Sequence, residues 1–223
     1  MLSVVIPARN AAAHLPRTLA ALRASAIAGE ILVVDAGSPD GTAAIAARAG
    51  ARVIASARGR GQQLRAGAQA ARGDWLLFLH ADTVPGPGFA SAVADFIAEP
   101  KNRTCAGYFR LRFDDPTDAA RTVEWLAHWR ARTLALPYGD QGLLMARALY
   151  DSTDGFPPLP IMEDVALVRE LGRPRLRPLD GELVTSAERY RRDGYLFRPL
   201  KNLFCLLLYF LGVAPARIAK IYD

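Results

Sequence analysis

The chain has 223 residues, of which 51% are hydrophobic and 22% are charged, so it can bury a sizeable core and is not a disordered chain. Its formal net charge of +6 favours anionic partners such as phosphates, nucleic acid or an acidic membrane surface. The two cysteines, Cys105 and Cys205, are too far apart for a zinc site built from paired Cys and His, and they favour a reducing cytoplasm.

The first half of the chain alternates short apolar runs with helical repeats. Leu15, Leu19 and Leu22 recur at the spacing of an amphipathic helix directly after the first apolar run. Strands that alternate with helices imply crossover connections and a mainly parallel sheet. The predicted strands of this half are 4–6, 30–35, 52–55 and 75–79, and the later helices are 42–49 and 62–71.

The run at 75–79 is followed by two potential metal ligands. Five consecutive large apolar residues are too few for a helix and are typical of a strand covered on both faces. Ligands bind beyond the carboxyl ends of strands in open α/β sheets, so His80 and Asp82 are expected at the functional edge. Alternate residues of an extended segment point the same way, so these two could face one ion while Ala81 turns away and leaves room for a ligand. The alternative is a turn Asp that caps the next helix.

The second half of the chain continues with helices and strands of less regular order. The spacing of Trp125 and Trp129 predicts one stripe on a long helix, which we interpret as core packing. Prolines at 157–160 form a stiff loop before a pair of carboxylates, Glu163 and Asp164. The predicted helices are 89–99, 117–136 and 165–171, and the predicted strands are 104–113 and 138–145.

The carboxy-terminal segment, 196–223, is predicted to be an amphipathic helical extension of a domain that covers 1–195. Its apolar run at 203–214 has 12 residues, fewer than the ~20 that span a bilayer. Basic residues flank this run, so one hypothesis is a peripheral contact with a membrane. The alternative is a helix packed on the domain or buried in a homodimer. Since no basic, apolar leader opens the sequence, a cytoplasmic location is expected.

Four motifs stand in order along the chain, and together they resemble a family-2 glycosyltransferase of the GT-A fold. They are Val-Val-Ile-Pro-Ala-Arg-Asn at 4–10, Val-Val-Asp-Ala-Gly-Ser-Pro-Asp-Gly-Thr at 33–42, Leu-His-Ala-Asp-Thr at 79–83 and Met-Glu-Asp-Val at 162–165. The resemblance covers nearly the whole chain and implies a Rossmann-like, mainly parallel sheet flanked by helices. The Phe-Leu-His-Ala-Asp-Thr form of the third motif, with Gly59, Arg60 and Gln63 upstream, further resembles a bacterial subgroup linked to arsenosugar biosynthesis.

The resemblance implies transfer of a sugar from a nucleotide diphosphate donor, such as a UDP-sugar, to a hydroxyl acceptor. A divalent cation, Mn²⁺ or Mg²⁺, would stabilise the charge that develops on the leaving diphosphate. Asp82 is the implied metal ligand. The family motif is usually Asp-x-Asp, whereas this chain has His80 at the first position. The imidazole could bind the ion, which would favour Mn²⁺ over Mg²⁺, or contact the ribose of the donor.

The donor-binding residues implied by the resemblance follow the early strands. Asp35 corresponds to the acidic position that hydrogen-bonds the base or ribose, and its alternative is a turn Asp that caps its own loop. Pro7 and Arg9 follow the first strand at the edge where the base would lie, and an arginine plane can stack on a pyrimidine. Arg58 and Arg60 could reach the base or the phosphates, or be solvated surface residues.

The acidic pair Glu163 and Asp164 matches the catalytic pair of the family, in which the Asp is the general base of an inverting transferase. A hydroxyl is a poor nucleophile until a nearby carboxylate takes its proton. The alternative is a helix N-cap with an acidic first turn. Asp140 and Gln141 occupy a family-like position near the acceptor or the sugar, without separate roles.

A late basic cluster, Arg189, Arg191 and Arg192, could close over the diphosphate of the donor or form a solvated surface. The rival functions are a nucleotidyltransferase, a basic nucleic-acid-binding protein, and a GT-A fold that binds a donor without turnover. A nucleotidyltransferase would carry a Gly-rich loop directly after the first strand, where this chain has residues 7–10 without a glycine. The arginines are spread through every segment, so no nucleic-acid partner is expected. The acceptor is open, and a lipid-linked hydroxyl is one hypothesis for it.

Overall fold

An eight-stranded mixed sheet forms the centre of the computed structural model, which describes residues 1–222. Its strand order is β3-β2-β1-β4-β7-β6-β8-β5. The strands in chain order, β1 to β8, are Leu2–Ala8, Glu30–Asp35, Arg52–Ala55, Trp75–Phe78, Thr83–Pro85, Ala106–Phe113, Leu143–Ala146 and Leu176–Thr185.

The strands β1 to β4 form the parallel half of the sheet, as predicted. In the registers of β1, β2 and β3, Ala8 lies opposite Asp35, and Asp35 lies opposite Ala55. These carboxyl ends therefore lie at one edge. The strand β7 then runs antiparallel between β4 and β6, while β6 and β8 are parallel. The prediction of a mainly parallel α/β sheet is confirmed.

The sheet must curl, because β4 and β5 lie four places apart in the strand order and yet are joined by a short segment of chain. Only residues 79–82 separate Phe78 from Thr83. The chain advances at most ~3.6 Å per residue, so this segment reaches ~18 Å. Four strand spacings in a flat sheet would need ~19 Å in the hydrogen-bonding direction alone. The curl brings the β4–β5 connection, which carries His80 and Asp82, over the carboxyl edge.

Helices cover the sheet on both sides. The helix α3 lies directly against β1, because a Cβ atom on its Gly67 would meet a side-chain methyl of Val5 at 2.3 Å. The helices in chain order, α1 to α10, are Leu15–Ala24, Thr42–Arg48, Arg60–Ala70, Phe89–Ala98, Asp118–Leu134, Arg147–Asp151, Glu163–Leu171, Glu188–Asp193, Phe197–Phe210 and Pro215–Tyr222. None of the helices in residues 1–222 is long and apolar enough to cross a bilayer.

The tryptophans of α5 do not pack in the core, so that prediction is wrong. Trp125 is 63% exposed and Trp129 is 48% exposed. The helix instead packs on β6 through small side chains that include Ala120 and Ala127, and it also buries Glu124. The carboxylate of Glu124 is ion-paired with two arginines and accepts a backbone hydrogen bond, so its face of the helix is the inner one.

The strand predicted at 138–145 begins only at Leu143, so its predicted start is wrong. Residues 139–141 form a short 3₁₀ turn instead. The side-chain oxygen of Gln141 accepts a hydrogen bond from the backbone N–H of Tyr138 at 3.4 Å, which helps to close the turn. Gly139 begins this turn and Gly142 directly follows it, and glycines at these positions are compatible with a turn before the strand β7.

The predicted carboxy-terminal helical extension is present as α9 and α10. Cys205, Leu206 and Ile218 are buried in the main hydrophobic core, so both helices pack on the sheet domain. The division of the chain at residue 195 stays a prediction. Asp223, the last residue of the predicted extension, lies outside the described residues.

Candidate active site

The carboxyl edge of β1 and β2 carries the predicted donor residues. Pro7 is buried within β1, and Arg9 is exposed immediately after it. Asp35 ends β2, and its Oδ2 accepts hydrogen bonds from the backbone N–H groups of Gly37 at 3.1 Å and Ser38 at 3.0 Å. Asp35 therefore caps its own loop, and its contact with a donor stays a prediction.

Gln63 of α3 joins the ends of these two strands. Its side-chain amide donates hydrogen bonds to the carbonyl oxygens of Ala8 and Val34, both at 2.8 Å. The side chain is buried, and these carbonyls lie where the sheet ladder ends. In the sequence, Gln63 stands out only as part of a motif. A glutamine on the inner face of a helix is a weak sequence signal for such a contact, because the carbonyl groups that it binds are distant in the sequence.

The β4–β5 connection holds His80, Ala81 and Asp82 in a tight turn. The backbone N–H of Thr83 donates to the carbonyl oxygen of His80 at 3.2 Å. The hydroxyl of Thr18 donates to the carbonyl oxygen of Ala81 at 2.8 Å. The main chain of Ala81 is thus fixed by α1, which sets the positions of the two potential ligands on either side of it.

His80 is half-buried, and its imidazole is neutral at physiological pH. Burial lowers the pKa of its imidazole to about 3, and the nearby cations Arg60 and Arg189 act in the same direction. A Cβ atom on Gly139 would lie 2.6 Å from Nε2 of His80 and 3.4 Å from Oδ2 of Asp164. Only a residue without a side chain fits between them. His80 and Asp164, 84 positions apart in the chain, therefore flank the same turn.

The two carboxylates at the start of α7 have different partners. Oδ2 of Asp164 accepts a hydrogen bond from the backbone N–H of Gly139 at 2.7 Å, and Oδ1 accepts one from the N–H of Val165 at 2.8 Å. Glu163 is fully buried and ion-paired with Nε of Arg60. Burial raises the pKa of Glu163, and Arg60 opposes that effect. Asp164 faces the turn that carries Gly139, whereas Glu163 joins α7 to α3.

Asp140 presents a buried carboxylate oxygen with no partner. Its Oδ1 makes no hydrogen bond within residues 1–222. Burial raises the pKa of Asp140 to about 6, Arg130 opposes this, and Asp164 and Asp82 raise it further. An added cation or hydroxyl donor would satisfy this oxygen.

Gln141, the neighbour of Asp140, uses its polar atoms within the protein. Its Oε1 accepts from Nη2 of Arg130 at 3.2 Å, and its Nε2 donates to the carbonyl oxygen of Phe109 at 3.2 Å. The side chain is completely buried. These contacts support a structural role for Gln141, and direct contact with an acceptor stays a prediction.

The predicted arginines of the α3 loop have different surroundings. Arg58 is exposed, and it makes no hydrogen bond or ion pair with residues 1–222. Arg60 is ion-paired with the buried Glu163, and its charge helps to lower the pKa of His80. The contact of either residue with base or phosphates stays a prediction.

The late basic cluster is mostly engaged by carboxylates. Arg191 is 3.2 Å from Oδ1 of Asp114, and Arg192 is 2.7 Å from Oδ1 of Asp193. Arg189 is the member of the cluster that lies close enough to His80 to lower its pKa. The side chain of Arg189 is exposed, and its contact with the diphosphate stays a prediction.

A divalent cation fits the site only if a phosphate group of the substrate supplies some of its ligands. No group of three or more His, Cys, Asp or Glu side chains in residues 1–222 is arranged to hold a metal. Mg²⁺ in phosphate-handling sites is commonly bound by one or two carboxylates plus substrate oxygens. Asp82 and the neutral His80 match that incomplete ligand set.

Comparison with known proteins agrees with the fold. Residues 3–150 match the sequence model of glycosyl transferase family 2. Glucosyl-3-phosphoglycerate synthase from Mycobacterium tuberculosis, solved with Mn²⁺, UDP and glucosyl-3-phosphoglycerate, is 20% identical, and the alignment covers 83% of this chain and 70% of that one with a TM-score of 0.58. Mannosyl-3-phosphoglycerate synthase from Rubrobacter xylanophilus is 21% identical over 96% and 75% of the two chains, with a TM-score of 0.63.

TarS 1-349 from S. aureus is 17% identical over 99% of this chain and 69% of its own, with a TM-score of 0.62. A search of curated protein sequences finds no significant match. At these identities the structural likeness shows the fold, and it confirms the predicted GT-A architecture. Because the family model covers more than half of the chain, the protein belongs to glycosyl transferase family 2 and is an enzyme of the glycosyltransferase class.

Proposed function

We propose that the protein transfers a sugar from a nucleoside diphosphate donor, a UDP-sugar, to a hydroxyl acceptor with inversion at the sugar carbon. The observation that carries this proposal is the meeting of His80 and Asp164 around Gly139, with Asp82 two positions after His80 in the β4–β5 connection. The carboxyl edge is where open α/β sheets bind ligands. Solved relatives of the same fold contain UDP with Mn²⁺ or Mg²⁺, which supports the choice of donor and ion.

The nucleoside would lie over the ends of β1 and β2. Arg9 is exposed there and can stack on a pyrimidine, while Pro7 shapes the floor beneath it. Gln63 holds the two strand ends at a constant separation. Asp35 would offer its remaining lone pairs to the base or ribose, since each carboxylate oxygen can accept more than one hydrogen bond.

Asp82 and His80 would hold a divalent cation, Mn²⁺ or Mg²⁺, together with the diphosphate of the donor. When bound, such an ion acts as a Lewis acid that stabilises the charge developing on the leaving diphosphate. The neutral imidazole of His80 has a lone pair available for this contact. Arg189 and Arg58 would contribute positive charge near the phosphates.

Asp164 would accept the proton of the acceptor hydroxyl as the new bond forms. Its two oxygens are positioned by backbone N–H groups, so the carboxylate is held in one orientation with lone pairs to spare. Asp140 lies next to it with an oxygen that lacks a partner, which suits contact with the sugar or the acceptor. A lipid-linked acceptor and the link to arsenosugars stay predictions, as does a cytoplasmic location.

A thermal-shift screen of nucleotides and nucleotide sugars, with and without Mn²⁺, tests the donor site. We expect UDP-sugars to raise the melting temperature only when Mn²⁺ is present, and Asp82→Ala to abolish that rise. Asp95→Ala, which removes an exposed carboxylate on α4, is the matched control and should respond like the unmodified protein. An unchanged metal-dependent shift in Asp82→Ala would contradict the metal site.

The role of Asp164 is tested by donor hydrolysis, a reaction in which water replaces the unknown acceptor. Asp164→Asn should keep the thermal shift with UDP-sugar and Mn²⁺, because the amide preserves the shape of the side chain. The hydrolysis rate should fall by roughly 10²- to 10⁴-fold, the usual contribution of a general base. Hydrolysis at the unmodified rate would show that another group takes the proton.

A further inference from the structure

The helix α9 exposes an unbroken apolar stripe on its outer side. At ~100° per residue, the side chains of the stripe fall within an arc of ~140° around the helix axis. Each of them is at least 45% exposed, and Phe197 is 73% exposed. The stripe consists of Phe197, Leu200, Leu203, Phe204, Leu207 and Phe210.

The stripe is not the face that packs on the domain. Cys205 and Leu206, which enter the core, lie on the opposite side of α9 together with the buried Arg198. The helix is therefore apolar on two sides, and only one of them is covered within residues 1–222. Contiguous exposed apolar surface of this kind marks an interaction site on a folded protein.

The charged residues of the segment 196–222 are all cations. Residues 196–222 contain four cations, Arg198, Lys201, Arg217 and Lys220, and no carboxylate. Arg198 is used internally, since it pairs with Asp193 at 3.1 Å. Arg217 and Lys220 are exposed on α10, which packs against α9, and neither makes an ion pair within residues 1–222. An exposed apolar stripe, in a segment whose charged residues are all cations, is complementary to a phospholipid surface that is apolar inside and anionic outside.

A second copy of the chain fits this surface less well. Pairing two such segments across a two-fold axis would bring like charges together, which is unfavourable. The stripe is also wider than the narrow seam of a two-helix coiled coil. A lipid surface has no fixed shape, so it can cover the whole arc while its phosphates pair with the cations.

We propose that the stripe of α9 docks the protein on an anionic phospholipid membrane, with the helix lying in the plane of the interface. The helix has 14 residues, and at 1.5 Å per residue it is ~21 Å long, which is shorter than the ~30 Å hydrocarbon core. The contact is thus peripheral. It does not depend on the transfer reaction, because it is measured without a donor or an acceptor.

The test is flotation of the full chain with vesicles, either of phosphatidylcholine alone or with added phosphatidylglycerol. We expect binding to the anionic vesicles at low salt and much weaker binding to neutral ones or at high salt. Leu203→Asp should lower the bound fraction at the same lipid concentration, with an apparent affinity loss of roughly tenfold or more. Trp125→Asp, an equally exposed apolar residue on α5, is the matched control and should leave binding unchanged.

A labelling experiment covers the case in which the Asp variant is unstable. Both native cysteines are buried, so an environment-sensitive dye can be attached selectively to Leu203→Cys, with Leu126→Cys on α5 as the control. Only the dye on Leu203→Cys should report an apolar environment when anionic vesicles are added. Absence of flotation, flotation unaffected by Leu203→Asp, or equal dye responses would each overturn the proposal. A dimer that Leu203→Asp dissociates, without vesicle binding, would assign the stripe to a second copy instead.

Discussion

Replacing Arg60 with methionine would leave the carboxylate of Glu163 buried without its ionic partner. Glu163 is 1% exposed and its second oxygen already lacks a hydrogen bond, so the ion pair with Arg60 is its main electrostatic compensation. Breaking a buried pair by removing one partner costs about 3–5 kcal/mol. Because Arg60 is itself partly exposed, we expect a loss of about 3 kcal/mol in the free energy of unfolding for Arg60→Met.

For a chain of this size, 1 kcal/mol shifts the melting temperature by about 2–4 °C. Arg60→Met should therefore melt roughly 6–12 °C below the unmodified protein at pH 8. The double variant Arg60→Met with Glu163→Met should recover most of the loss, since an apolar pair of similar volume leaves no buried charge. Arg58→Met, two positions earlier and exposed, is the matched control and should change stability by less than about 0.5 kcal/mol.

The pH dependence of the stability loss in Arg60→Met distinguishes a buried carboxylate without an ionic partner from a loss of packing contacts. Burial raises the pKa of Glu163 above its ordinary value, so the folded state keeps a proton that the unfolded state releases as the pH rises. Stability therefore falls with rising pH over that window, and more steeply without Arg60. The loss in Arg60→Met should be largest at pH 8 and shrink towards pH 4. A loss that is independent of pH, or additive losses in the double variant, would refute the reasoning.

Three further predictions concern the site. Gly139→Ala should abolish donor hydrolysis while the protein remains folded, because the new Cβ would displace His80; unaltered hydrolysis would contradict the close approach. Asp140→Asn should stabilise the protein at pH 8 by up to about 3 kcal/mol and so raise its melting temperature. Burial raises the pKa of Asp140 to about 6, so above that pH the folded state holds the charge unfavourably. The gain should shrink as the pH falls below about 6 and vanish only below about pH 3, where Asp140 is protonated in both the folded and the unfolded state, and melting curves across this range check the sign. Gln63→Leu should cost about 1–3 kcal/mol in denaturant unfolding, because two buried carbonyl groups lose their donor, and a neutral result would mean that water replaces it.

The parallel half of the fold could be predicted from the sequence because its signals are local. Each of the strands β1 to β4 is a short apolar run, and each is bounded by turn residues or an amphipathic helix. The strand β8 escaped prediction, because Pro178, Asp180 and Gly181 interrupt its pattern. Its pairing with β6, from Leu176 to Thr185, stabilises it as a strand although its own sequence pattern does not predict one.

The exposed tryptophans show where periodicity was insufficient. A spacing of four residues correctly predicted that Trp125 and Trp129 share one face of a helix. It could not tell which face of α5 meets the sheet. That choice depends on small residues such as Ala127 and on the buried ion pairs of Glu124, whose partner Arg112 lies on the strand β6.

The sequence by itself determined the family, the parallel sheet and the residue types available at its carboxyl edge, because motifs and hydrophobic runs depend on neighbours in the chain. Only the tertiary structure decided which of those residues meet. It brings Asp164 to Gly139 and His80, it commits Glu163 to Arg60, and it directs one side of α9 outward. These pairings join residues tens of positions apart, and their distances follow from how the curled sheet packs its helices.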